Sequence, residues 1–200
     1  MGRKPGRWGG GLVVPLLSIL LNGCTPESRV TFLTNEAYFD TLIAHLAGGK
    51  QEIVISMFLF ATGDHEGNRA NQVREALIRA AKRGVRVMAF LDISEEDDFS
   101  TEANRTVATD LRRHGITVQF DSPGRTTHTK LVIIDQRYVF VGSHNFTHSA
   151  LRHNNEASVL IESPQLAQEA LAYLKGIEGH RAQGREAAED RRRRSTHQNR

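Results

Sequence analysis

The stretch HTKLVIIDQRYVFVGSHN, residues 128–145, decides the fold of this chain. Its apolar run 131–134 is bounded by polar residues and predicts a strand that is buried on both faces. A second strand is predicted over 138–141, and the three residues 135–137 between the strands suit a tight hairpin. The stretch therefore predicts two neighbouring antiparallel strands that carry polar residues at their open end.

Four polar side chains are predicted to meet at that open end. Side chains alternate between the two faces of a strand, so His128 and Lys130 point the same way. A two-residue loop at 136–137 places Lys130 opposite Ser143. The same register places His128 opposite Asn145, whereas a shift of one residue keeps these groups adjacent but not on one face.

This patch has the chemistry that phosphodiester hydrolysis requires. Lys130 offers positive charge to the non-bridging oxygens, while Ser143 and Asn145 offer neutral hydrogen-bond donors. His128 can attack phosphorus or transfer a proton near neutral pH. No cluster of carboxylates in the sequence indicates a magnesium site, so neither a metal nor another cofactor is expected.

The spacing of these residues resembles the HKD motif of the phospholipase D superfamily, H-x-K-x4-D-x6-G-S-x-N. The matching positions are His128, Lys130, Asp135, Gly142, Ser143 and Asn145. The resemblance covers residues 30–180 or so and implies a phospholipase D-like α/β fold with one HKD motif per chain. It also implies hydrolysis through a covalent phosphohistidine. Asp135 belongs to this candidate catalytic set, but its place at the hairpin turn gives it a structural role.

Glu156 joins the candidate set through the same resemblance. In the small bacterial nucleases that carry a single motif, a glutamate at about this distance orients the motif histidine. Glu156 also follows asparagines, as the glutamate does there. A carboxylate on the second ring nitrogen of His128 would fix the tautomer and stabilise the cation formed during attack. The alternative is a glutamate that simply lies at the edge of a strand.

Helical and strand patterns alternate along the rest of the chain. Strands are predicted near 30–33, 52–60, 85–91, 116–120 and 157–161, and helices near 35–46, 71–83, 101–113, 146–153 and from 163 onwards. This alternation predicts an α/β fold, and the late hairpin makes the sheet mixed, with helices flanking it. The acidic segment 92–98 is interpreted as a solvated loop. His144 and His148 are interpreted as surface or rim histidines, because a third metal ligand is not evident.

The first 24 residues are typical of a bacterial lipoprotein signal. Cations at positions 3, 4 and 7 precede the apolar segment 12–21, which is too short to span a bilayer. The sequence at 21–24 resembles a lipobox and implies lipidation of Cys24, with a free thiol after a simple signal as the alternative. Cys24 is the only cysteine, which excludes a disulfide within the chain.

Three regions and a location follow from these patterns. Residues 1–23 are predicted to form the signal peptide, 24–180 the phosphodiesterase domain, and 181–200 a basic, disordered tail. The lipid anchor places the protein in the bacterial cell envelope, either periplasmic or at the outer membrane. The net formal charge of +3 divides into +3 in the signal, +4 in the tail and −4 in the domain. A domain of negative charge lacks the broad basic surface of a nonspecific duplex-DNA binder, although a local basic groove is compatible with it.

A single motif is not enough for the expected chemistry. Covalent cleavage needs a nucleophile and a separate acid for the leaving oxygen, whereas this chain has one HxK. Single-motif members of the superfamily pair two chains about a twofold axis, which implies a homodimer with both copies of His128 facing one phosphate. Lys130 and Asn145 of both chains would hold the phosphate oxygens.

Three functions are compatible with these features. Phospholipase D-type cleavage of phospholipid is favoured, because the predicted anchor holds the protein at a membrane. A periplasmic, metal-independent endonuclease acting on DNA or RNA is the alternative, supported by the likeness to single-motif nucleases and by the arginine-rich tail. A lipoprotein that only binds phosphorylated ligands is the third reading, and the intact motif argues against it.

Overall fold

A computed structural model describes residues 28–96 and 98–177, together with Gly2. The strands are β1 (Arg29–Thr34), β2 (Glu52–Met57), β3 (Arg86–Leu91), β4 (Thr117–Phe120), β5 (Lys130–Ile134), β6 (Tyr138–Gly142) and β7 (Ala157–Glu162). The helices are α1 (Glu36–Gly48), α2 (Arg69–Lys82), α3 (Phe99–Arg113), α4 (His148–Arg152) and α5 (164–177). Apart from Gly2, the predicted signal 1–23, Cys24 and the tail 181–200 lie outside the described residues.

The seven strands form one mixed sheet in the order β1-β7-β6-β5-β2-β3-β4. Strands β2, β3 and β4 run parallel to one another, with α2 and α3 as the connections between them. Strand β5 runs antiparallel to β2, and β6, β7 and β1 continue the antiparallel half. The predicted α/β fold with a mixed sheet is therefore confirmed.

Helices cover both faces of the sheet at its centre. The larger apolar cluster joins one face of β5, through Val132 and Ile134, to α1, α2 and α3. The smaller cluster joins the other face, through Leu131 and Ile133, to α5. All four side chains are at most 7% exposed, as expected for a strand buried on both faces. Each such burial stabilises the fold by about 1.5–3 kcal/mol, so the hairpin strand is a rigid base for the residues at its end.

The hairpin differs from the predicted register by one residue. Ile134 pairs with Tyr138, so three residues rather than two form the turn, and Lys130 lies level with Gly142 instead of Ser143. Asp135 and Gln136 have positive φ angles of 52° and 53°. The Asp135 side chain turns away from the β5–β6 ladder to bind backbone amides at the start of β2, and this contact makes the turn longer.

Gly142 allows the two strands beside the hairpin to approach closely. A Cβ atom at this position would lie 2.2 Å from Ser158 Oγ and 2.5 Å from the carbonyl oxygen of Ala157. No side chain fits at those distances, so β6 and β7 can pair at Gly142 only when the residue is glycine. This close pairing brings the residues after β6 next to those before β7.

None of the helices within 28–96 and 98–177 has the length and apolar character that crossing a bilayer would demand.

Candidate active site

The predicted site residues lie along one edge of the sheet. His128 precedes β5 and Lys130 begins it, while Ser143 and Asn145 follow β6 and Glu156 precedes β7. Strand β5 runs antiparallel to β2, so its first residues lie at the same edge as the carboxyl ends of the parallel strands β2, β3 and β4. Strand β7 runs antiparallel to β6, so its first residues lie beside the last residues of β6. The topology thus brings together groups that are up to 28 positions apart in the chain.

His128 and Lys130 are in direct contact. Lys130 Nζ lies 3.1 Å from His128 Nδ1 and 3.1 Å from the His128 carbonyl oxygen. The Phe58 ring lies beneath both, with its centroid 4.4 Å from that of the imidazole and 4.8 Å from Nζ. The imidazole is exposed, whereas Lys130 is only 7% exposed, so the cation is held in place under an accessible ring.

Both groups have lowered pKa values. Burial, followed by the positive charge of Lys130, holds the pKa of His128 below its usual value. Burial also lowers the pKa of Lys130, and the negative charges of Glu156 and Asp92 oppose that effect. His128 is therefore neutral at pH 7, the form in which a ring nitrogen can act as a nucleophile.

Glu156 binds Ser143 across the end of the β6–β7 pair. The Ser143 hydroxyl donates to Glu156 Oε2, and Asn154 Nδ2 donates to Oε1 at 3.1 Å. The Ser143 oxygen in turn accepts the amide of Ala157 at 3.1 Å. Within residues 28–96 and 98–177, no hydrogen bond joins Glu156 to His128, whose Nδ1 faces Lys130 instead. The contact that the resemblance implied for Glu156 is thus not made in the single chain.

Asn145 carries an unsatisfied polar atom at the site. Its Oδ1 is buried and has no hydrogen-bond partner among the described residues. Leaving such an atom unpaired costs about 1–3 kcal/mol, a cost that a bound water would relieve by donating to it. Asn145 lies directly before Phe146, whose amide donates to Leu59 beside Phe58, so its backbone is fixed next to the His128 pocket.

The family model for "Cardiolipin synthase, PLD-like domain" matches residues 42–177, more than half of the chain. The chain belongs to the phospholipase D superfamily. Members of this superfamily are phosphodiesterases. The matched range contains every predicted site residue except Cys24.

Two curated proteins and one solved structure illustrate the relationship. A phospholipase D from Rickettsia conorii is 35% identical over 99 residues, which are 50% of this chain and 47% of the relative. Cardiolipin synthase B from Shigella flexneri is 26% identical over 132 residues, 60% of this chain and 30% of the relative. The chain thus spans about half the length, or less, of these curated relatives. The phospholipase D family member Nuc from Salmonella typhimurium shares the fold, with a TM-score of 0.65 and 24% identity over 76% of this chain and 95% of Nuc.

The aspartate of the HKD motif, Asp135, lies at the opposite end of the hairpin from His128. Its carboxylate accepts the backbone amides of three successive residues, Lys50, Gln51 and Glu52, at 2.7–3.2 Å. Burial alone would raise the pKa of Asp135, but the three amide donors outweigh it and hold the pKa below its usual value. In this position Asp135 ties the hairpin turn to the start of β2 and does not reach the His128 pocket.

The free position of the motif, His144, is buried, and its interpretation as a surface or rim residue was wrong. Its ring is 0% exposed and stacks on Tyr38 at 4.1 Å between centroids. Its Nε2 lies 3.1 Å from the Asn35 carbonyl, which can only accept, so Nε2 carries the proton and Nδ1 accepts the Ser158 hydroxyl at 2.7 Å. Burial lowers the pKa of His144. The residue fastens the end of β6 to α1.

Sequence reasoning missed three residues beside the HKD pocket. Phe58 was predicted only as part of an apolar strand, although it packs against His128 and Lys130. Asp92 was placed in a solvated loop and Asp121 in a connecting loop, yet they are 3% and 6% exposed. The sequence does show an aspartate directly after each of two predicted buried strands. This pattern could have predicted that the two aspartates lie together, because the carboxyl ends of neighbouring parallel strands meet at one edge of the sheet.

Proposed function

We propose that this chain hydrolyses phosphodiesters through a covalent phosphohistidine at His128. One observation carries the proposal: the exposed imidazole of His128 lies 3.1 Å from the buried ammonium of Lys130. The ammonium of Lys130 neutralises charge on the non-bridging oxygens. Asn145, with its amide turned so that Nδ2 faces the pocket, donates to the same oxygens.

The reaction proceeds in two displacements. Nε2 of one His128, in its neutral form, attacks phosphorus, and the P–O bond to the leaving group breaks. The second copy of His128 enters the step as an imidazolium, which the negative phosphodiester beside it stabilises, and it protonates the leaving oxygen. That second imidazole then removes a proton from water, whose oxygen attacks phosphorus and releases His128. Attack through Nε2 requires the ring proton on Nδ1, so substrate oxygens must draw Lys130 Nζ away from Nδ1 and leave it free to donate. We propose Glu156, whose charge acts on Lys130, as the acceptor of this hydrogen bond once two chains have paired.

The second His128 comes from a second copy of the chain. An apolar patch lies on the sheet face that α5 leaves open, and we define it as the exposed Val30, Phe32 and Val141 together with the half-buried Val159. Phe32 pairs with Val159, which pairs with Val141, so the patch crosses three strands in register. Phe32 and Val30 are 69% and 60% exposed. The patch adjoins Gly142, one residue before Ser143, so a copy that covers it also faces the site.

We expect Phe32→Glu to convert the dimer to monomer and to reduce turnover, because a charge in an apolar interface must be desolvated. Sedimentation or light scattering at several concentrations measures the mass. Phe99→Glu is the matched control, since Phe99 is 72% exposed at the start of α3, away from the patch. A wild-type monomer with full turnover at the lowest concentrations would contradict shared-site dimerisation.

Phospholipid is the substrate class that we infer. A groove of about 580 Å³ between the 121–128 loop and α5 ends at His128, and Ala172, Tyr173 and Ile177 give it an apolar wall. Such a wall suits the hydrocarbon part of a lipid whose phosphate lies at the imidazole. The net charge of −4 on residues 24–180 supports lipid over nucleic acid, and relatives named phospholipase D agree with it.

A side-by-side assay tests the substrate. The purified protein is given vesicles of phosphatidylcholine or cardiolipin, and single- or double-stranded DNA, with His128→Ala as the blank in every arm. Head-group release without DNA cleavage is expected. DNA cleavage without head-group release would replace the lipid assignment with the endonuclease alternative and leave the phosphohistidine chemistry intact.

We also propose that Cys24 carries a lipid that anchors the protein in the bacterial cell envelope. The signal pattern of 1–23 supports this location, and an anchored enzyme would meet phospholipid at the membrane surface. Metabolic labelling with an alkyne-tagged fatty acid should mark the wild-type protein and not Cys24→Ser. Label retained on the serine variant would overturn the anchor.

The rate should depend on the protonation of His128. Because burial and Lys130 lower its pKa, the neutral nucleophile persists to a lower pH than for a free imidazole. We therefore expect the acidic limb of kcat/KM to have its midpoint below the usual 6.5. An NMR titration of the His128 ring in the wild type and in Lys130→Met should show the pKa rising in the variant. A midpoint at or above 6.5, or no rise, would contradict the expected electrostatics.

A further inference from the structure

Two buried carboxyl groups lie beside the loop that delivers His128. Asp92 directly follows β3 and Asp121 directly follows β4, and the two strands are parallel neighbours. Their side chains are only 3% and 6% exposed. Two buried carboxylates side by side are costly unless hydrogen bonds, protons or cations compensate their charge, so this pair requires a physical explanation.

Hydrogen bonds tie the pair to the His128 loop. Asp92 Oδ1 accepts the amide of Thr127, the residue before His128, at 2.5 Å. Asp121 Oδ1 accepts the amide of Ile93 at 2.9 Å. Asp121 Oδ2 is buried and finds no donor among the described residues when both carboxyls are ionised. The Asp121 carboxyl, at the end of the neighbouring parallel strand, is one cause that raises the pKa of Asp92. Two adjacent buried carboxyl groups can hydrogen-bond to each other only if one of them carries a proton.

The charges around Asp92 favour the protonated form. Burial is the main cause that raises the pKa of Asp92 to about 7; the Thr127 amide opposes it, and the carboxylates of Asp121 and Asp98 add to it. Asp98 faces the pair from the N-terminus of α3, where it accepts the Thr101 amide. The ammonium of Lys130 faces it from β5.

We propose that Asp92 and Asp121 share one proton and act as positioning residues that hold the 121–127 loop, and with it His128, in the catalytic geometry. This proposal rests on the proposed role of His128. The shared proton bridges Asp92 Oδ2 and Asp121 Oδ2 and leaves Asp92 Oδ1 free to accept the Thr127 amide. It stays in the pair throughout the reaction. Loss of the proton at alkaline pH leaves two buried like charges that separate, and the Thr127 contact and the position of His128 are lost with them.

Amide substitution tests the shared proton. Asp92→Asn keeps an oxygen for the Thr127 amide and supplies Nδ2–H to Asp121 Oδ2 at every pH. We expect its kcat at pH 6 to stay within about twofold of the wild type and its alkaline limit to move up by at least about one pH unit. Asp121→Asn should behave in the same way, and it serves as the second variant if the first does not fold. Asp92→Ala should lose about tenfold in kcat with little change in KM, because it can neither bridge nor accept.

Glu95→Gln is the matched control. Glu95 is an exposed acid close to Gly124 of the 121–127 loop. Its replacement by glutamine should leave the alkaline limit of kcat unchanged. Asn variants whose alkaline limit coincides with that of the wild type would overturn the proposal. So would Asp92→Ala with undiminished kcat.

Thermal stability gives a readout that does not depend on turnover. The pKa of Asp92 in the folded chain lies above its unfolded value near 3.8. The folded state therefore binds the extra proton, and this contribution is complete below pH 4 and lost as pH rises through about 7. The thermal midpoint of Asp92→Asn should fall less than that of the wild type between pH 4 and pH 8. Equal curves would refute the shared proton. If the His128→Ala variant kept full turnover while the thermal midpoints of the wild type and Asp92→Asn still differed in their pH dependence, only the role of His128 would be refuted.

Discussion

Replacing His128 with alanine is expected to lower kcat at least about 10⁴-fold, because the variant loses the nucleophile in one subunit and the acid in the other. The fold should persist, since the imidazole is exposed and, among the described residues, its ring packs on Phe58 and hydrogen-bonds with Lys130. Turnover of a phosphodiester is the measurement, and circular dichroism and the mass in solution verify the fold and the dimer. His114→Ala is the matched control, because His114 lies at the end of α3.

Mixed dimers make this expectation quantitative. When wild type and His128→Ala are co-refolded in equal amounts, random pairing leaves half of the wild-type subunits with a mutant partner. If both imidazoles serve one phosphate, those pairs are inactive and the activity per wild-type subunit falls to about half. Undiminished activity per wild-type subunit would show that each chain works alone. A quench during turnover should also find phosphate bound to His128 in the wild type.

Lys130→Met is expected to have the second largest effect, with kcat reduced by about 10²–10³. The methionine side chain is similar in length but has no charge for the phosphate oxygens. Thermal stability should be unchanged or higher, because Lys130 is only 7% exposed and burial already lowers its pKa. Replacing a buried charge with an apolar side chain of similar volume is often neutral or stabilising.

The two measurements separate catalysis from folding at this position. Lys82→Met, at an exposed site at the end of α2, is the control and should change neither kcat nor the thermal midpoint. If Lys130→Met kept its kcat, the ammonium would have no part in holding the phosphate. A large fall in thermal midpoint would instead assign Lys130 a role in stability.

Most of the architecture was predictable from the pattern of apolar residues. The continuous apolar run 131–134 required cover on both faces, and the structure provides it with two clusters. The helix predicted over 71–83 spans Arg69–Lys82 in the structure. Its apolar residues recur with the helical period, and the Asn68 side chain caps the first turn by accepting the amide of Asn71. These features depend on residues close together in sequence, which is why the sequence sufficed.

Contacts between residues far apart in the sequence could not be predicted from these local patterns. Asp135 lengthens the hairpin turn by reaching amides 83–85 positions away, so the register could not follow from local turn preferences. Asp92 is buried where the 121–127 loop covers the end of β3 and Thr127 donates its amide to the carboxylate, although Asp92 begins a segment rich in acidic residues. His144 is buried because α1 packs over it through Tyr38.

The sequence by itself determined the strands, the helices and the chemical groups of the HKD motif, since local period and spacing suffice for these. Only the tertiary structure decided which of those groups touch. It paired Ser143 with Glu156, set Lys130 against His128 and gave Asn145 Oδ1 no partner within 28–96 and 98–177. The physical reason is that hydrogen-bond partners and burial depend on where β2, β5 and β7 lie in the sheet, and that order is fixed by packing over the whole chain.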